Sequence, residues 1–534
     1  MTELEILPTR GRFETGDSVE LEIRGATAGE LVLSRLGDEV LRVSHSGGAT
    51  ITLGWLPEGC YGVEFTNPQG ALARTAVEVD SGDRRRLRYG FVVDYSPGRD
   101  LNGIRDTIRR LHLTDVQFYD WAYRHADLLG GGENYRDALD QPISLESVRL
   151  LVAAVTDVGA AALGYAAVYA VGTGEWDRWK HRALLTASGQ PYALGDFLFL
   201  IDPAANDWLE SFTRQLSAAR AQLGFTGFHL DQYGYPKRAV RSDSETVDVA
   251  TSFLAMIGAV RDRLPDARLV FNNVNDFPTW VSARADQDAV YIEVWEPNVT
   301  LEALALIVNR AKEVAAGKPV AIAAYQHAYD TATASQADLA TSFTMATLFS
   351  HGATQLLAGE TDRILVDPYY VRNHVAEPST TRLLRRWYDF LVEHDEVLLD
   401  PRISDATASY AGAYNDDCDV IFGGIPITGF ARAGAIWRRV VIAGDRLVVH
   451  LINLLGQDDE LWDAPRKTPG HTGEGMLRFR RVGPGVPRVR VADPDGNPGL
   501  RDIPVELDGD FATAVLPEFS IWQVVVIETV REAK

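Results

Sequence analysis

Residues 227–234 read Gly227-Phe-His-Leu-Asp-Gln-Tyr-Gly234, and this stretch decides the fold class. Phe228 and Leu230 share one side of an extended chain and His229 and Asp231 share the other, because successive side chains of a strand alternate. In a barrel of parallel strands the apolar side packs against helices, and reacting groups gather at the C-terminal ends of the strands. The stretch therefore predicts a barrel strand that presents Asp231 at the mouth.

Apolar strands with polar C-terminal ends recur along the middle of the chain. We identify eight candidate strands, at residues 89–95, 115–121, 161–169, 227–233, 268–275, 289–295, 319–325 and 353–358. Helical stretches lie between several of them, at residues 144–158, 206–222, 244–263 and 301–315. Eight β-α repeats predict a (β/α)₈ TIM barrel. A doubly wound sheet is the alternative, and the lack of Gly-x-Gly-x-x-Gly after the first strand weakens its dinucleotide-binding form.

Short alternating strands separated by glycine-containing turns precede and follow this region. They predict a multidomain protein: an N-terminal immunoglobulin-like β-sandwich at residues 1–87, the catalytic barrel at 88–400 and a C-terminal β-sandwich at 401–534. The charged run at residues 83–86 is interpreted as a linker between the first two parts.

The composition excludes several classes of protein. The chain has 534 residues, of which 46% are hydrophobic and 24% charged, and its formal net charge is −22. So acidic a chain is a poor partner for nucleic acid, which needs a basic surface. No stretch approaches the ~20 apolar residues of a membrane span. The N-terminus has no signal-peptide pattern, so we expect a cytoplasmic protein, with a secreted mature form left open. The two cysteines offer no metal spacing, and we expect neither metal nor cofactor.

A second carboxylate faces the same mouth. In Tyr291-Ile-Glu-Val-Trp295 the apolar residues Ile292 and Val294 point outward, so Glu293 points inward with its aromatic neighbours. Retaining glycoside hydrolysis needs two carboxyl groups about 5–5.5 Å apart. An aromatic surround raises a carboxyl pKa, which suits Glu293 to be the proton donor. The structural alternative is that acidic residues at strand ends cap helices or hold loops.

Other side chains on the predicted inner faces suit a sugar, which binds flat aromatic faces and amides. The strand alternation selects Gln117, Tyr119, Trp121, Tyr165, Asn273 and Asn275, and it places Tyr169 on the same face as Tyr165. Aromatic side chains also fill barrel cores, so a structural role remains the alternative for the tyrosines. His229 is more often a packed residue than a reactive one in such a place.

Three motifs together resemble glycoside hydrolase family 66, the family of endo-dextranases and cycloisomaltooligosaccharide glucanotransferases. They are the Gln-Phe-Tyr-Asp-Trp run at 117–121 with Arg-His at 124–125, the run at 224–234, and the run at 291–295. The resemblance implies a retaining mechanism on α-1,6-glucan, with Asp231 as nucleophile and Glu293 as acid/base. It also places Asp120 near the central sugar, although strand alternation puts Asp120 opposite Gln117 unless the strand has already ended. The remaining substrate-binding candidates are His125, His229, Tyr233, Trp295, Tyr325 and Glu360.

The sequence departs from the family pattern in the eighth-strand region, residues 352–360, where a more polar version is expected. The cyclising members resemble this scaffold with a carbohydrate-binding module inserted in the barrel, for which residues 89–400 leave no room. We therefore predict a hydrolase of dextran or of linear or cyclic isomaltooligosaccharides. The alternatives are a transglycosylase on α-1,6-glucan and a carbohydrate-binding barrel without turnover. An α-1,6-linked glucan is the expected partner, and the oligomeric state is not predicted.

Overall fold

Eight parallel strands form the central sheet, and they follow one another in chain order. The computed structural model describes residues 4–26, 28–82, 86–410, 417–483 and 485–529. We label the central strands β1 (Tyr89–Val92), β2 (Asp115–Phe118), β3 (Ala161–Ala167), β4 (Gly227–Asp231), β5 (Arg268–Val274), β6 (Ala289–Glu293), β7 (Val320–Ala323) and β8 (Ala353–Gln355). The sheet curls back on itself, since Thr354 of β8 donates a hydrogen bond to the carbonyl of Leu87, just before β1.

A helix follows each strand. We label these α1 (Leu101–Arg110), α2 (Leu145–Asp157), α3 (Asn206–Leu223), α4 (Val249–Arg263), α5 (Thr279–Ser282), α6 (Leu301–Val314), α7 (Ala334–Ser350) and α8 (Pro378–Glu393). The eight strands and their order agree with the predicted (β/α)₈ barrel, and the doubly wound alternative is wrong, because such a sheet does not keep chain order.

The predicted strands and one predicted helix are longer than the observed ones. Every predicted strand extends two or more residues beyond its observed end, except the fifth, which ends one residue later than observed. The helix predicted from residue 244 begins only at Val249, because the Asp248 carboxylate caps it by accepting from the amides of Ala250 and Thr251. Residues Thr246–Asp248 instead pair with Arg238–Val240 as a short hairpin.

The barrel strands are buried on both faces, with side chains that alternate between the helical layer and the barrel interior. Phe228 and Leu230 of β4 are fully buried against the helical layer, as predicted. Inside the barrel the lowest layer holds an ion pair between Asp115 and Arg268, whose Nη2 and Oδ2 are 3.0 Å apart. His229 lies in the layer above. The active-site layer is therefore built on a filled interior rather than on an open pore.

Two sheets precede the barrel. One joins Glu5–Pro8, Val19–Arg24 and Thr50–Gly54; the other joins Phe13–Glu14, Leu72–Asp80, Gly59–Thr66, Gly29–Arg35 and Asp38–His45. They share one apolar core that includes Leu21, Leu33, Val63 and Val77. The immunoglobulin-like sandwich stays a prediction, as do the domain boundaries.

Two further sheets follow the barrel. The larger contains Ser404–Asp405, Ile436–Ala443, Arg446–Asn453, Trp522–Thr529, Pro487–Ala492, Arg501–Ile503 and Ile427–Thr428, and the smaller contains Cys418–Ile421, Gly475–Arg480, Phe511–Leu516 and Val505–Asp508. A separate apolar core with Phe422, Val449, Leu477 and Phe479 lies between them. The C-terminal β-sandwich, like the N-terminal one, stays a prediction.

The remaining short elements decorate the barrel. A small sheet of Ala170–Gly172, Leu198–Leu200 and Ala193–Leu194 lies in the connection between β3 and α3. Other pairs are Asn134–Arg136 with Pro142–Ser144 and Arg363–Ile364 with His374–Val375. Short helical turns occupy Trp176–Trp179, Lys180–Arg182, Ala328–Thr331, Tyr370–Arg372, Asp395–Leu398 and Thr407–Tyr410.

The predicted linker at residues 83–86 is only partly described. Residues 83–85 lie outside the described residues, and Arg86 is buried. Its guanidinium donates to both oxygens of Asp395, at 2.7 and 2.6 Å. The pairing fixes Arg86 to the barrel region, because a buried cation needs a paired anion, and the interpretation of residues 83–86 as a linker stays a prediction. Within the described ranges no helix combines the length and the apolar character that crossing a membrane requires.

Candidate active site

A cavity of about 240 Å³ lies at the C-terminal ends of the barrel strands. It is small beside the ~300–1,000 Å³ typical of drug-sized ligand sites. All but the first of the eight strands, or the loops that follow them, contribute to its wall. This is the end of a (β/α)₈ barrel where reacting groups are found.

Asp231 and Glu293 end strands β4 and β6 and face each other across β5. Asn272 of β5 joins them: its Nδ2 donates to Asp231 Oδ1 at 2.7 Å and to Glu293 Oε2 at 2.9 Å, so these oxygens are at most 5.6 Å apart, the sum of the two distances. With the usual 120° between the two N–H bonds of an amide, the separation is about 4.8 Å. The two carboxyl groups that the sequence placed on one mouth are therefore brought together.

Each carboxyl group also has a tyrosine. The Tyr165 hydroxyl donates to Asp231 Oδ2 at 2.7 Å, and the Tyr325 hydroxyl donates to Glu293 Oε1 at 3.0 Å. With Asn272, all four carboxyl oxygens have a donor from a neighbouring strand. Rigid donors of this kind hold a pair of acids in one geometry.

Burial raises the pKa of both acids because a charge is poorly solvated in the cavity. The negative charge of Asp231 raises the pKa of Glu293 further. The bonds from Asn272 and Tyr165 partly lower the pKa of Asp231 again. The pair therefore titrates in two steps, and the state with Asp231 ionised and Glu293 protonated lies between them.

Asp120 lies past the end of β2 with a φ of +42°. Its carboxyl group lines the cavity together with Gln117, although strand alternation alone places the two on opposite faces. The strand has ended at Phe118, so alternation no longer applies. Burial first, and then the charges of Asp137 and Asp231, hold the pKa of Asp120 well above its usual range.

His229 occupies the layer beneath the carboxyl groups. Its Nδ1 lies 2.9 Å from the Tyr89 hydroxyl, and its ring stacks on Tyr165 with centroids 6.2 Å apart. Burial lowers the pKa of His229 to about 3, so the imidazole is neutral. The ring supports Tyr165 from below while also touching the cavity.

Five more predicted residues line the cavity. Tyr119 stacks on Tyr370 with centroids 4.2 Å apart, and Gln117 accepts from the Tyr370 hydroxyl at 3.4 Å. Burial, with the charge of Arg124, lowers the pKa of His125 to about 4. The other two are Tyr233 and Trp295. Their roles in binding remain predictions.

Four predicted substrate-binding residues are not in the cavity wall. Two of them, Asn273 and Asn275, lie on or just after β5. Asn273 points to the helical layer, where Nδ2 donates to the carbonyls of Phe271 and Tyr291. Its predicted inward orientation is wrong because it shares the face of Phe271. Asn275 lies past β5 at a φ of +50°, and its side chain holds the loop backbone at Trp295 and Glu296.

Trp121 and Glu360 are the other two. Trp121 is buried outside the barrel, where Nε1 donates to the carbonyl of Tyr165 at 3.1 Å; the alternation that predicted it inward stops with β2. Glu360 pairs with Arg99 and accepts from the amide of Val93, which keeps it at the β1 edge, away from the cavity.

Eleven residues of the cavity wall were not selected as binding residues, among them Asn272, Gln232, Tyr291 and Tyr370. Asn272 could have been found, because the apolar residues Leu269 and Phe271 mark the outer face of β5. Tyr291 follows from the same rule. Tyr370 comes from a long loop after β8, and no local pattern indicates that its ring enters the barrel.

The described part of the chain contains one cluster of potential metal ligands, formed by Cys60, Glu78 and Asp395. It lies outside the cavity wall, and both carboxylates are already paired, Glu78 with Arg88 and Asp395 with Arg86. A cation would have to displace these guanidinium groups, so the donor set does not fit a metal site.

Two carboxyl groups bridged by one amide in a tyrosine-walled cavity, at the C-terminal ends of the barrel strands, match the arrangement that retaining glycoside hydrolysis needs. The chain belongs to glycosyl hydrolase family 66, whose sequence profile matches residues 10–526. The resemblance found in the three motifs is thereby confirmed.

Among curated proteins the chain is similar to two cycloisomaltooligosaccharide glucanotransferases of Niallia circulans. One is 24% identical over 412 residues, covering 68% of this chain and 42% of the relative. The other is 24% identical over 285 residues, covering 47% of this chain and 29% of the relative. The chain thus spans less than half the length of the curated relatives it matches.

Solved structures show the same fold. A Paenibacillus cycloisomaltooligosaccharide glucanotransferase complexed with cycloisomaltoheptaose superposes with a TM-score of 0.86 at 17% identity, covering 98% of this chain and all of that one. A maltogenic α-amylase from Thermotoga neapolitana superposes with a TM-score of 0.51 at 9% identity, covering 83% of this chain and 99% of that one.

Proposed function

We propose that this chain cleaves α-1,6-glucosidic linkages by double displacement, with Asp231 as nucleophile and Glu293 as general acid/base. One observation carries the proposal: Asn272 holds the two carboxyl groups with oxygens at most 5.6 Å apart. Retaining glycosidases have about 5–5.5 Å between these groups, whereas inverting enzymes need about 6.5–9.5 Å to admit a water molecule. The bridged separation fits the retaining range and is shorter than the inverting one.

The first step forms a bond between Asp231 and the anomeric carbon of a glucosyl unit. The bond from that carbon to the glycosidic oxygen breaks, and the proton of Glu293 goes to the departing sugar. Glu293 suits this step because burial and the charge of Asp231 raise its pKa. In the second step Glu293 takes a proton from an incoming hydroxyl group, which attacks the anomeric carbon and releases Asp231.

The α-1,6-glucan substrate is supported by the family and by the relatives. Both curated relatives are named for cycloisomaltooligosaccharides, and the structural neighbour is complexed with cycloisomaltoheptaose. The cavity wall adds tyrosine rings and amides, which are the groups that bind sugar faces and hydroxyls.

The acceptor of the second step separates two candidate activities. The names of the relatives favour transfer to another sugar, including cyclisation, over hydrolysis. We therefore put transglycosylation first and hydrolysis second, against the expectation drawn from the length of the barrel region. A binding protein without turnover is disfavoured, because two coupled acids serve no purpose in it.

The test is a time course of products from dextran, linear isomaltooligosaccharides and cyclic isomaltooligosaccharides, with Asp231→Asn beside the wild type. We expect cleavage with retention of the α-anomer, longer or cyclic products at high substrate concentration, and a loss of roughly 10⁴-fold or more in the variant. If only shorter, linear products form at all substrate concentrations, the activity is hydrolysis. Equal turnover by both proteins would contradict the role of Asp231. If neither protein turns over any substrate, a carbohydrate-binding protein without turnover becomes the favoured function.

A further inference from the structure

We propose that Asn272 is a positioning residue that stabilises both carboxylates and selects the oxygen of Glu293 that carries the catalytic proton. The inference rests on the proposed function and concerns the same pair of acids. Asn272 is buried, with 3% of its surface exposed. Both hydrogens of its Nδ2 are used, one on Asp231 Oδ1 and one on Glu293 Oε2.

This arrangement favours one oxygen of Glu293 as the place for a proton. Oε2 faces a hydrogen of the Asn272 amide, which can only donate and cannot rotate away. Oε1 lies 3.0 Å from the Tyr325 hydroxyl, which donates to the ionised acid but can rotate and accept from the protonated one, so the proton is placed on Oε1. Oε1 is then the atom that gives its proton to the glycosidic oxygen, while Oε2 remains tethered.

The orientation of the amide agrees with this reading. The other amide atom of Asn272, Oδ1, is buried and accepts no hydrogen bond from the residues that the structure describes. The reversed amide would place that oxygen against two carboxyl groups, which is tolerable only when both are protonated. The observed orientation thus suits a pair that carries a negative charge.

No described residue of the cavity wall other than Asn272 stabilises the charge of both acids directly. The described residues of this wall include neither lysine nor arginine, so hydrogen bonds alone stabilise the charge. The other titratable groups of the described cavity wall are Asp120, Tyr119, His125, Tyr165, His229, Tyr233, Tyr291, Tyr325, Tyr369 and Tyr370. Of these, Tyr165 and Tyr325 each contact one acid, whereas Asn272 contacts both.

The experiment compares Asn272→Ala with Asn273→Ala, the same change at adjacent positions on opposite faces of β5. For Asn272→Ala we expect turnover of isomaltooligosaccharides to fall roughly 100-fold, as for loss of one preorganised donor. Both limbs of the pH profile of kcat/KM should move upward by about one unit, because the donor stabilises each carboxylate. Turnover of α-glucosyl fluoride, which needs no proton from Glu293, should fall much less.

Asn273→Ala should leave both limbs in place, whatever it does to stability. The proposal is overturned by a uniform loss on both substrates with unmoved limbs, or by the same limb shift in Asn273→Ala. Asn272→Ser, which keeps one donor, is the second variant if the alanine variant does not fold, and its limbs should move in the same direction but less.

A readout without turnover separates this proposal from the proposed function. The carboxyl stretch of Glu293, isolated as the infrared difference between wild type and Glu293→Gln, can be titrated in the absence of substrate. A higher midpoint in Asn272→Ala supports the positioning role even if no α-1,6-glucoside is cleaved, and an unchanged midpoint contradicts it. Absence of cleavage by the wild type contradicts only the proposed function.

Discussion

Removing the hydroxyl of Tyr165 tests the electrostatics of the site most directly. That hydroxyl donates to Asp231 Oδ2 at 2.7 Å and lowers the pKa of Asp231 against the effect of burial. Tyr165→Phe removes the bond and leaves the ring that stacks on His229. The pKa of Asp231 should therefore rise. The acid limb of kcat/KM, which reports ionisation of Asp231 if it is the nucleophile as proposed, should move to higher pH.

The size of the shift follows from the bond. A hydrogen bond to a charged group is worth about 1.5–3 kcal/mol, and one to a neutral group about 1 kcal/mol. The ionised form of Asp231 thus loses about 0.5–2 kcal/mol more than the protonated form. Since one pKa unit is 1.36 kcal/mol, the limb should move by about one unit. At a pH below the acid limbs of both proteins, kcat/KM of the variant should be about tenfold lower than that of the wild type.

The assay is the initial rate of α-1,6-glucoside cleavage at low substrate concentration across the pH range. Tyr169→Phe is the matched control, because the Tyr169 hydroxyl is also buried but donates to the carbonyl of Tyr235 at 2.6 Å and accepts from the amide of Tyr233. Its acid limb should stay in place. A uniform loss of rate in Tyr165→Phe with an unmoved acid limb would refute the reasoning.

Three further changes have expected outcomes. Glu293→Gln should slow cleavage of isomaltooligosaccharides by about 10²–10⁴-fold, yet react with α-glucosyl fluoride far better, as measured by fluoride release. Trp295→Ala should raise KM about threefold to tenfold because its ring lines the cavity, whereas Trp280→Ala, also exposed but outside the wall, should not. Asp395→Asn should lower the free energy of unfolding in urea by about 3–5 kcal/mol, because it leaves the buried Arg86 without its anion; a change below 1 kcal/mol would contradict that pairing.

Local alternation determined most of the barrel. The eight strands and the outward faces of Phe228 and Leu230 could be predicted, because side chains alternate wherever a strand continues. The two acids could be predicted on the same grounds, since each ends a strand whose apolar partners point outward. The motifs then identified the family, which the match over residues 10–526 confirms.

Strand ends and neighbours decided the rest. Asp120 enters the cavity and Trp121 leaves it because the chain turns at a φ of +42° after β2 has ended, and only contacts with adjacent strands define that end. Glu360 lies outside the cavity wall because it forms an ion pair with Arg99, a residue distant in sequence.

The bridge between the two acids shows both contributions at once. The apolar residues of β5 contain the information that Asn272, not Asn273, points inward. That its amide reaches Asp231 on one side and Glu293 on the other is a property of three strands in register. The chemistry of the site depends on this distance, and a distance between strands that are remote in sequence exists only once the barrel has closed around its core.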